Sequence, residues 1–200
     1  MPILARLPAM ALPRPNRLLR AVGFDDAPFP RRKGASVQVA GAVCCGTRFE
    51  GLVWGRVRRD GFNATAELVQ LLKGGKFLPQ LHLVLLDGVA FGGLNMVDLP
   101  VLADSLGRPV IAVMRKLPDL AAMSAAIRKL PQAERRLKIL RRAGPIHQRP
   151  PFVFQVHGLS PDEARAALER LTDRGHVPEA LRLAHLIGAA VVTGVSGKRA

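Results

Sequence analysis

Two short runs in this chain, LHLVLLDG at 81–88 and PVIAVMRK at 109–116, are apolar almost without a break until each ends in charged residues or glycine. A strand with one wet face alternates polar and apolar side chains; a continuous apolar run belongs to a strand covered on both faces. Strands covered on both faces need helices above and below a mostly parallel sheet. The segments around the two runs supply those helices. FNATAELVQLLKG (62–74) has helical period, with Asn63 placed to cap it and Gly74 to stop it. MVDLPVLADSLG (96–107), PDLAAMSAAIRKL (118–130), PQAERRLKILRR (131–142), SPDEARAALERLTD (160–173) and PEALRLAHLIGAAVVTG (178–194) read the same way.

Ahead of these lie three strand-like segments. RAVGFDDAPF (20–29), ASVQVAGAVCCGTR (35–48) and FEGLVWGRVRRD (49–60) are rich in Val and joined by glycine turns, the pattern of an antiparallel meander. PFVFQVHG (151–158) is a further strand. Three antiparallel strands, then buried strands alternating with helices, is the order of an α/β ribonuclease H-like mixed sheet. The alternation alone also fits other three-layer α/β folds. The expected organisation is a basic N-terminal extension over residues 1–20, poorly ordered, and one domain over residues 21–200.

Thirty Lys and Arg against fifteen Asp and Glu leave a net charge of +15. Such an excess favours a polyanionic partner, nucleic acid before an anionic membrane surface. Ten of the cations fall between Arg115 and Arg149, where the only acids are Asp119 and Glu134. Helical spacing puts Arg135, Lys138 and Arg142 on one side of their segment. Together with Arg115, Lys116 and Arg136 they are expected to grip phosphates without reading sequence. With one Trp and no Tyr, a stacking platform for single strands is disfavoured. The most apolar stretch, LRLAHLIGAAVVTGV from Leu181, is interrupted by Arg182 and His185 and falls short of a membrane span. The opening residues carry Arg6, Pro8, Pro13 and Pro15 and lack a clean apolar leader. Cys44 and Cys45 are adjacent, which suits neither a disulfide nor a metal clamp. These features point to a cytoplasmic protein.

Carboxylates stand where strands are expected to end: Asp25 or Asp26 after the first, Asp60 after the third, Asp87 after the fourth. In open α/β sheets the strand ends are where ligands bind. If the first and fourth strands are neighbours, their terminal carboxylates repel, and a divalent cation is the usual reason to tolerate that. Mg²⁺ or Mn²⁺ is the expected ion, held by Asp26, Asp60 and Asp87 with Asp25 and Glu67 as alternates. Each acid has a blander reading, since Asp-Gly is a common turn pair at Asp60 and Asp87, and Asp26 stands ahead of Ala27-Pro28. Lys116 stands at the same sheet edge and suits a phosphate or a leaving oxygen, or is a plain surface lysine. His185, on an apolar helix, reads by itself as a satisfied core histidine.

Five segments in order, GFDDAPF, RVRRDGFNAT, LVLLDGVAFGGLNMVDL, PVIAVMRK and GHVPEALRLAHLIG, resemble an endonuclease V-like family of small, largely archaeal proteins. Some members of that family are described as endonucleases acting at deoxyuridine. The resemblance runs from about Ala21 to Gly194. It implies a metal-dependent endonuclease of the DNA-repair type, cutting DNA at or near a deaminated base, deoxyuridine first. It also implies that Asp26 (or Asp25), Asp60 and Asp87 bind metal, that Asp26, Asp87, Lys116 and His185 are catalytic, and that His185 reaches the metal site. Endonuclease V carries a tyrosine-bearing wedge that opens the duplex; this chain has no tyrosine, and Phe62 or Trp54 is the stand-in. Its His-Pro after the strand-end aspartate is replaced here by Phe91-Gly92-Gly93, so inosine recognition does not carry over. Two other readings keep the fold: a non-catalytic nucleic-acid-binding protein, and a nuclease directed at RNA.

Overall fold

The structure is a computed structural model and describes residues 12–32 and 34–196. The first eleven residues of the expected extension therefore lie outside the described residues. Of the rest of it, Leu12 packs against the core, Leu19 is buried, and Arg170 donates to the carbonyls of Pro13, Arg14 and Arg17.

The chain opens with strands β1 (Arg20–Asp26), β2 (Ser36–Cys45) and β3 (Arg48–Arg58). Helix α1 (Ala64–Leu72) leads to β4 (Leu83–Asp87), and a two-residue pair, β5 (Ala90–Phe91) and β6 (Asn95–Met96), leads to α2 (Leu99–Leu106). Then come β7 (Val110–Met114), α3 (Leu120–Arg128), α4 (Ala133–Arg142), β8 (His147–Arg149), β9 (Phe152–His157), α5 (Pro161–Arg170) and α6 (Glu179–Thr193). Seven strands form one sheet in the order β3-β2-β1-β4-β7-β9-β8. The meander β1-β2-β3 is antiparallel, β4 and β7 run parallel to β1, and β9 and β8 close the sheet as an antiparallel hairpin. The apolar pattern of 151–158 carries no direction, so the sense of β9 is a structural finding. So is β8, whose three polar residues carry no strand pattern.

The sheet divides two apolar layers by strict alternation. Val22 and Phe24 of β1 and Val84 and Leu86 of β4 face the core under α1 to α4. Ala21 of β1 and Leu83 and Leu85 of β4 face the core under α5 and α6. Helix α6 lies close on β1 because Gly23 has no side chain: a Cβ there would stand 2.6 Å from the backbone of Ala180 and Leu181. Gly23→Ala is expected to cost about 1–3 kcal/mol, since helix and strand must part to admit the methyl. A fall in the urea midpoint without a change in slope is the measurement that checks it.

Asn63 stands at the start of α1 as expected, but its side chain does not cap the helix. Its Oδ1 accepts from Arg58 N and from Asn95 Nδ2, and the fully buried Asn95 instead accepts from Ala64 N. A residue thirty-one positions away thus caps α1 and ties β6 to it. Both cysteines are free and buried, and burial pushes the Cys44 thiol up to about 12. Among the described residues no helix is long and apolar enough to cross a membrane.

Candidate metal centre

Strands β1 and β4 pair in parallel with Phe24 opposite Leu86. The next residues along, Asp25 and Asp87, therefore come side by side at the C-terminal edge of the sheet. Alternation places both on the α6 side, Asp25 in phase with Ala21 and Gly23, Asp87 in phase with Leu83 and Leu85. Helix α6, drawn onto β1 at Gly23, brings His185 over the pair. Its Nδ1 lies 2.8 Å from Asp25 Oδ2. One ligand atom from each of Asp25, Asp87 and His185 falls within 4.8 Å of the others, and among the described residues this is the one such group of three.

Asp25 is 6 % exposed. Burial first, then the neighbouring charges of Asp87 and Asp26, push its carboxyl up to about 8. Its oxygens accept from Asp26 N and meet the imidazole. Asp87 is partly open and pairs with Arg115 at 3.1 Å. Two carboxylates and one imidazole at the rim of a sheet are a donor set that could hold a divalent cation. A buried carboxylate held beside a second acid is an arrangement that a divalent cation relieves.

Several expected residues stand elsewhere. Asp26, the first choice over Asp25, points to the opposite face, where its Oδ2 accepts from Gly92 N at 2.5 Å. The reason is the period of the strand: Asp26 is in phase with Val22 and Phe24. Asp60 lies in a turn with φ +54, its Oδ1 accepts from Leu94 N, and Arg59 pairs with it at 3.4 Å. Asp26 and Asp60 thus hold the 92–94 loop between them. Glu67 accepts from Asn63 Nδ2 in the first turn of α1. Asp26, Asp60 and Glu67 are not in the three-residue group. Lys116 is exposed two residues beyond β7, and Arg115 is the cation that reaches Asp87.

The basic face of α4 needs one correction. Arg135, Lys138 and Arg142 are exposed, with Arg142 also 3.4 Å from Asp98, but Arg136 is only 2 % exposed. Its guanidinium donates to the carbonyls of Pro131, Gly61, Leu94 and Asp60, so it is a structural clamp and not a phosphate ligand. Position 136 shares the sheet-facing side of α4 with Leu137 and Leu140. Phe62 is not a free wedge either: Arg135 and Arg136 stack on it, with Cζ 4.6 and 4.0 Å from the ring centre. Trp54 is half-buried and donates to Gln38 Oε1.

Beside Asp87, a cavity of about 140 Å³ opens on the α3–α4 side of the sheet, and Gln155 of β9 forms part of its wall. Sequence reasoning passed over Gln155. Its signal was a lone amide inside the apolar run PFVFQVHG.

A family model described as endonuclease dU matches residues 17–192. The chain belongs to the endonuclease dU family. A UPF0215 protein of Methanothermobacter thermautotrophicus is 37% identical over 183 residues, covering 89% of this chain and 90% of that protein. A crystal structure of an Archaeoglobus fulgidus protein superposes with a TM-score of 0.83 at 34% identity, covering 88% of this chain and 99% of that one. Endonuclease V of Ciona intestinalis, crystallised with a DNA containing an inosine followed by a ribo-adenosine, superposes with a TM-score of 0.52 at 17% identity, over 84% and 83% of the two chains. The endonuclease dU chain described here therefore has the ribonuclease H-like fold of endonuclease V. Family and fold together are those of nucleases.

Proposed function

We propose that this protein is a divalent-metal-dependent endonuclease that hydrolyses a phosphodiester bond in DNA at or near a deoxyuridine. The observation that carries the reading is the convergence of Asp25, Asp87 and His185 at the sheet edge. The family description, an endonuclease named for dU, supports the substrate, and the inosine-containing DNA bound to the Ciona relative supports a deaminated base.

Asp25 and Asp87 would hold the ion, Mg²⁺ or Mn²⁺, with His185 as the third donor. Such an ion, when bound, lowers the pKa of a water and polarises a phosphate oxygen. Asp25 fixes the imidazole through Nδ1, so that the ring keeps one orientation. Arg115, already beside Asp87, is placed to meet a phosphate oxygen once an ion takes over that carboxylate. Lys116 adds a mobile charge at the same edge, and Arg135, Lys138 and Arg142 extend the basic surface along α4 for the flanking backbone. Asp26 and Asp60 act through the 92–94 loop that they anchor.

The test is nicking of duplex and single-stranded oligonucleotides that carry uracil, hypoxanthine or no lesion, with Mg²⁺ or Mn²⁺ and with EDTA. Metal-dependent cutting beside uracil is expected, and Asp87→Asn should slow it by about 1,000-fold, the scale of losing a principal charge-stabilising group. Binding without cutting on every substrate would make the protein a nucleic-acid-binding relative. Preferential cutting of matched RNA would redirect it to that polymer.

A further inference from the structure

The cavity beside the metal centre is apolar except at one place. Met114, Leu120, Met123 and Leu140 form walls, Gly88 forms the rim next to Asp87, and Gln155 supplies the polar group. Gln155 is 3 % exposed. Its Nε2 donates to the Gly144 carbonyl at 2.6 Å, which occupies one of the two amide hydrogens. Among the described residues nothing donates to its Oε1. The carbonyl of Gly144 accepts only, so it fixes which way the amide faces; a flipped amide would set two oxygens against each other. Gln155 therefore lines the cavity with an amide of fixed orientation, whose oxygen and second N–H are taken by no described residue.

We infer that Gln155 reads the target base, pairing its amide with the lactam edge of a deaminated base extruded into this cavity. The inference rests on the endonuclease reading for the polymer concerned. Uracil offers an N3–H donor beside an O4 acceptor, and hypoxanthine an N1–H beside O6. Cytosine and adenine offer the reverse, a ring nitrogen acceptor beside an amino donor. The locked amide satisfies both positions of the first pair and opposes both positions of the second, so a single side chain can tell uracil from cytosine and hypoxanthine from adenine. The apolar walls suit the two faces of a base, and Gly88 of the rim directly follows Asp87, so cavity and metal centre open at the same C-terminal end of β4, on its two faces. Thymine and guanine share the lactam edge, and their exclusion falls to the walls that a C5 methyl or a 2-amino group must meet.

The test is equilibrium binding without metal, so that no cutting intervenes. Fluorescence anisotropy would compare the full-length protein on short single strands that differ at one base: uracil, hypoxanthine, cytosine or adenine. The wild-type protein is expected to favour the lactam bases by about 10- to 100-fold, the usual discrimination of a two-point contact. Gln155→Met should erase that difference. Leu120→Trp, at a residue 45 % exposed, should erase it too by filling the cavity without disturbing the core. Preference for uracil alone would name the pyrimidine, and preference for both lactam bases would name the edge itself. Equal binding of all four strands by the wild type overturns the inference. So does a preference that survives in either folded variant. Failure of the endonuclease reading is seen separately, as absence of nicking when metal is added.

Discussion

Asp25→Asn will abolish the response of this protein to divalent metal while leaving the metal-free protein at least as stable as the wild type. At saturating Mn²⁺, around 100 times the dissociation constant, a bound ion stabilises by about 2.7 kcal/mol. For a chain of this size that raises the melting temperature by roughly 5–10 °C. The wild type should show that rise and the variant none, because the amide keeps the shape of Asp25 but not its charge. The metal-free comparison has a pH signature. The folded carboxyl titrates near 8 and the unfolded one near its ordinary value, so wild-type stability falls as pH climbs between the two. The variant lacks that group, so its margin over the wild type should be absent near the ordinary aspartate pKa, widen up to about pH 8 and stay level above it. Melting curves at a series of pH values, with EDTA and with Mn²⁺, check both parts. A metal response retained by Asp25→Asn would remove this residue from the centre.

Arg136→Leu is expected to behave in the opposite way. The guanidinium holds four carbonyls, those of Asp60, Gly61, Leu94 and Pro131, and it supports Phe62 from one side. Leucine fills part of the space and satisfies none of the acceptors. The loss should be about 3–5 kcal/mol, the range for breaking a buried charged network, and a fall in melting temperature on the order of 10 °C. The metal-induced rise should survive, since Asp25 and Asp87 meet His185 of α6 on one face of the sheet and Arg136 belongs to α4 on the other. A scan with and without Mn²⁺ therefore separates a residue that builds the loop from residues that bind the ion.

The same contrast explains what could be read in the sequence. The strands β4 and β7 and the helices around them announce themselves by period and length, because burial on both faces leaves no polar positions to confuse the pattern. The position of Asp87 at the end of β4 was legible for that reason, although Asp87-Gly88 by itself also reads as an ordinary turn pair. Asp25 and Asp26 were not separable by type, since the choice depends on strand phase and on pairing with β4. Phase puts one acid with Ala21 and Gly23 and the other with Val22 and Phe24, and only the position of α6 says which face carries the three-residue group. Arg136 was grouped with the phosphate-gripping residues for its place in a basic segment, not by helical spacing, and a single guanidinium can satisfy several carbonyls and go inside. Asp60 and Asn95 act through loop hydrogen bonds between segments thirty or more residues apart. No local pattern encodes those.

The two acids of the centre are brought together by pairing between β1 and β4, which β2, β3 and α1 separate in the chain, and the histidine lies 160 residues beyond Asp25. Contacts of such long range form late in folding, after the loop entropy between them has been overcome. A chain emerging from the ribosome therefore carries no partial centre: until α6 is made and seated on β1, the carboxylates lack their imidazole. Premature termination anywhere before α6 would leave a polypeptide rich in positive charge but without the third member of the proposed centre. Competence at the sheet edge is thus a report on completion of the whole domain.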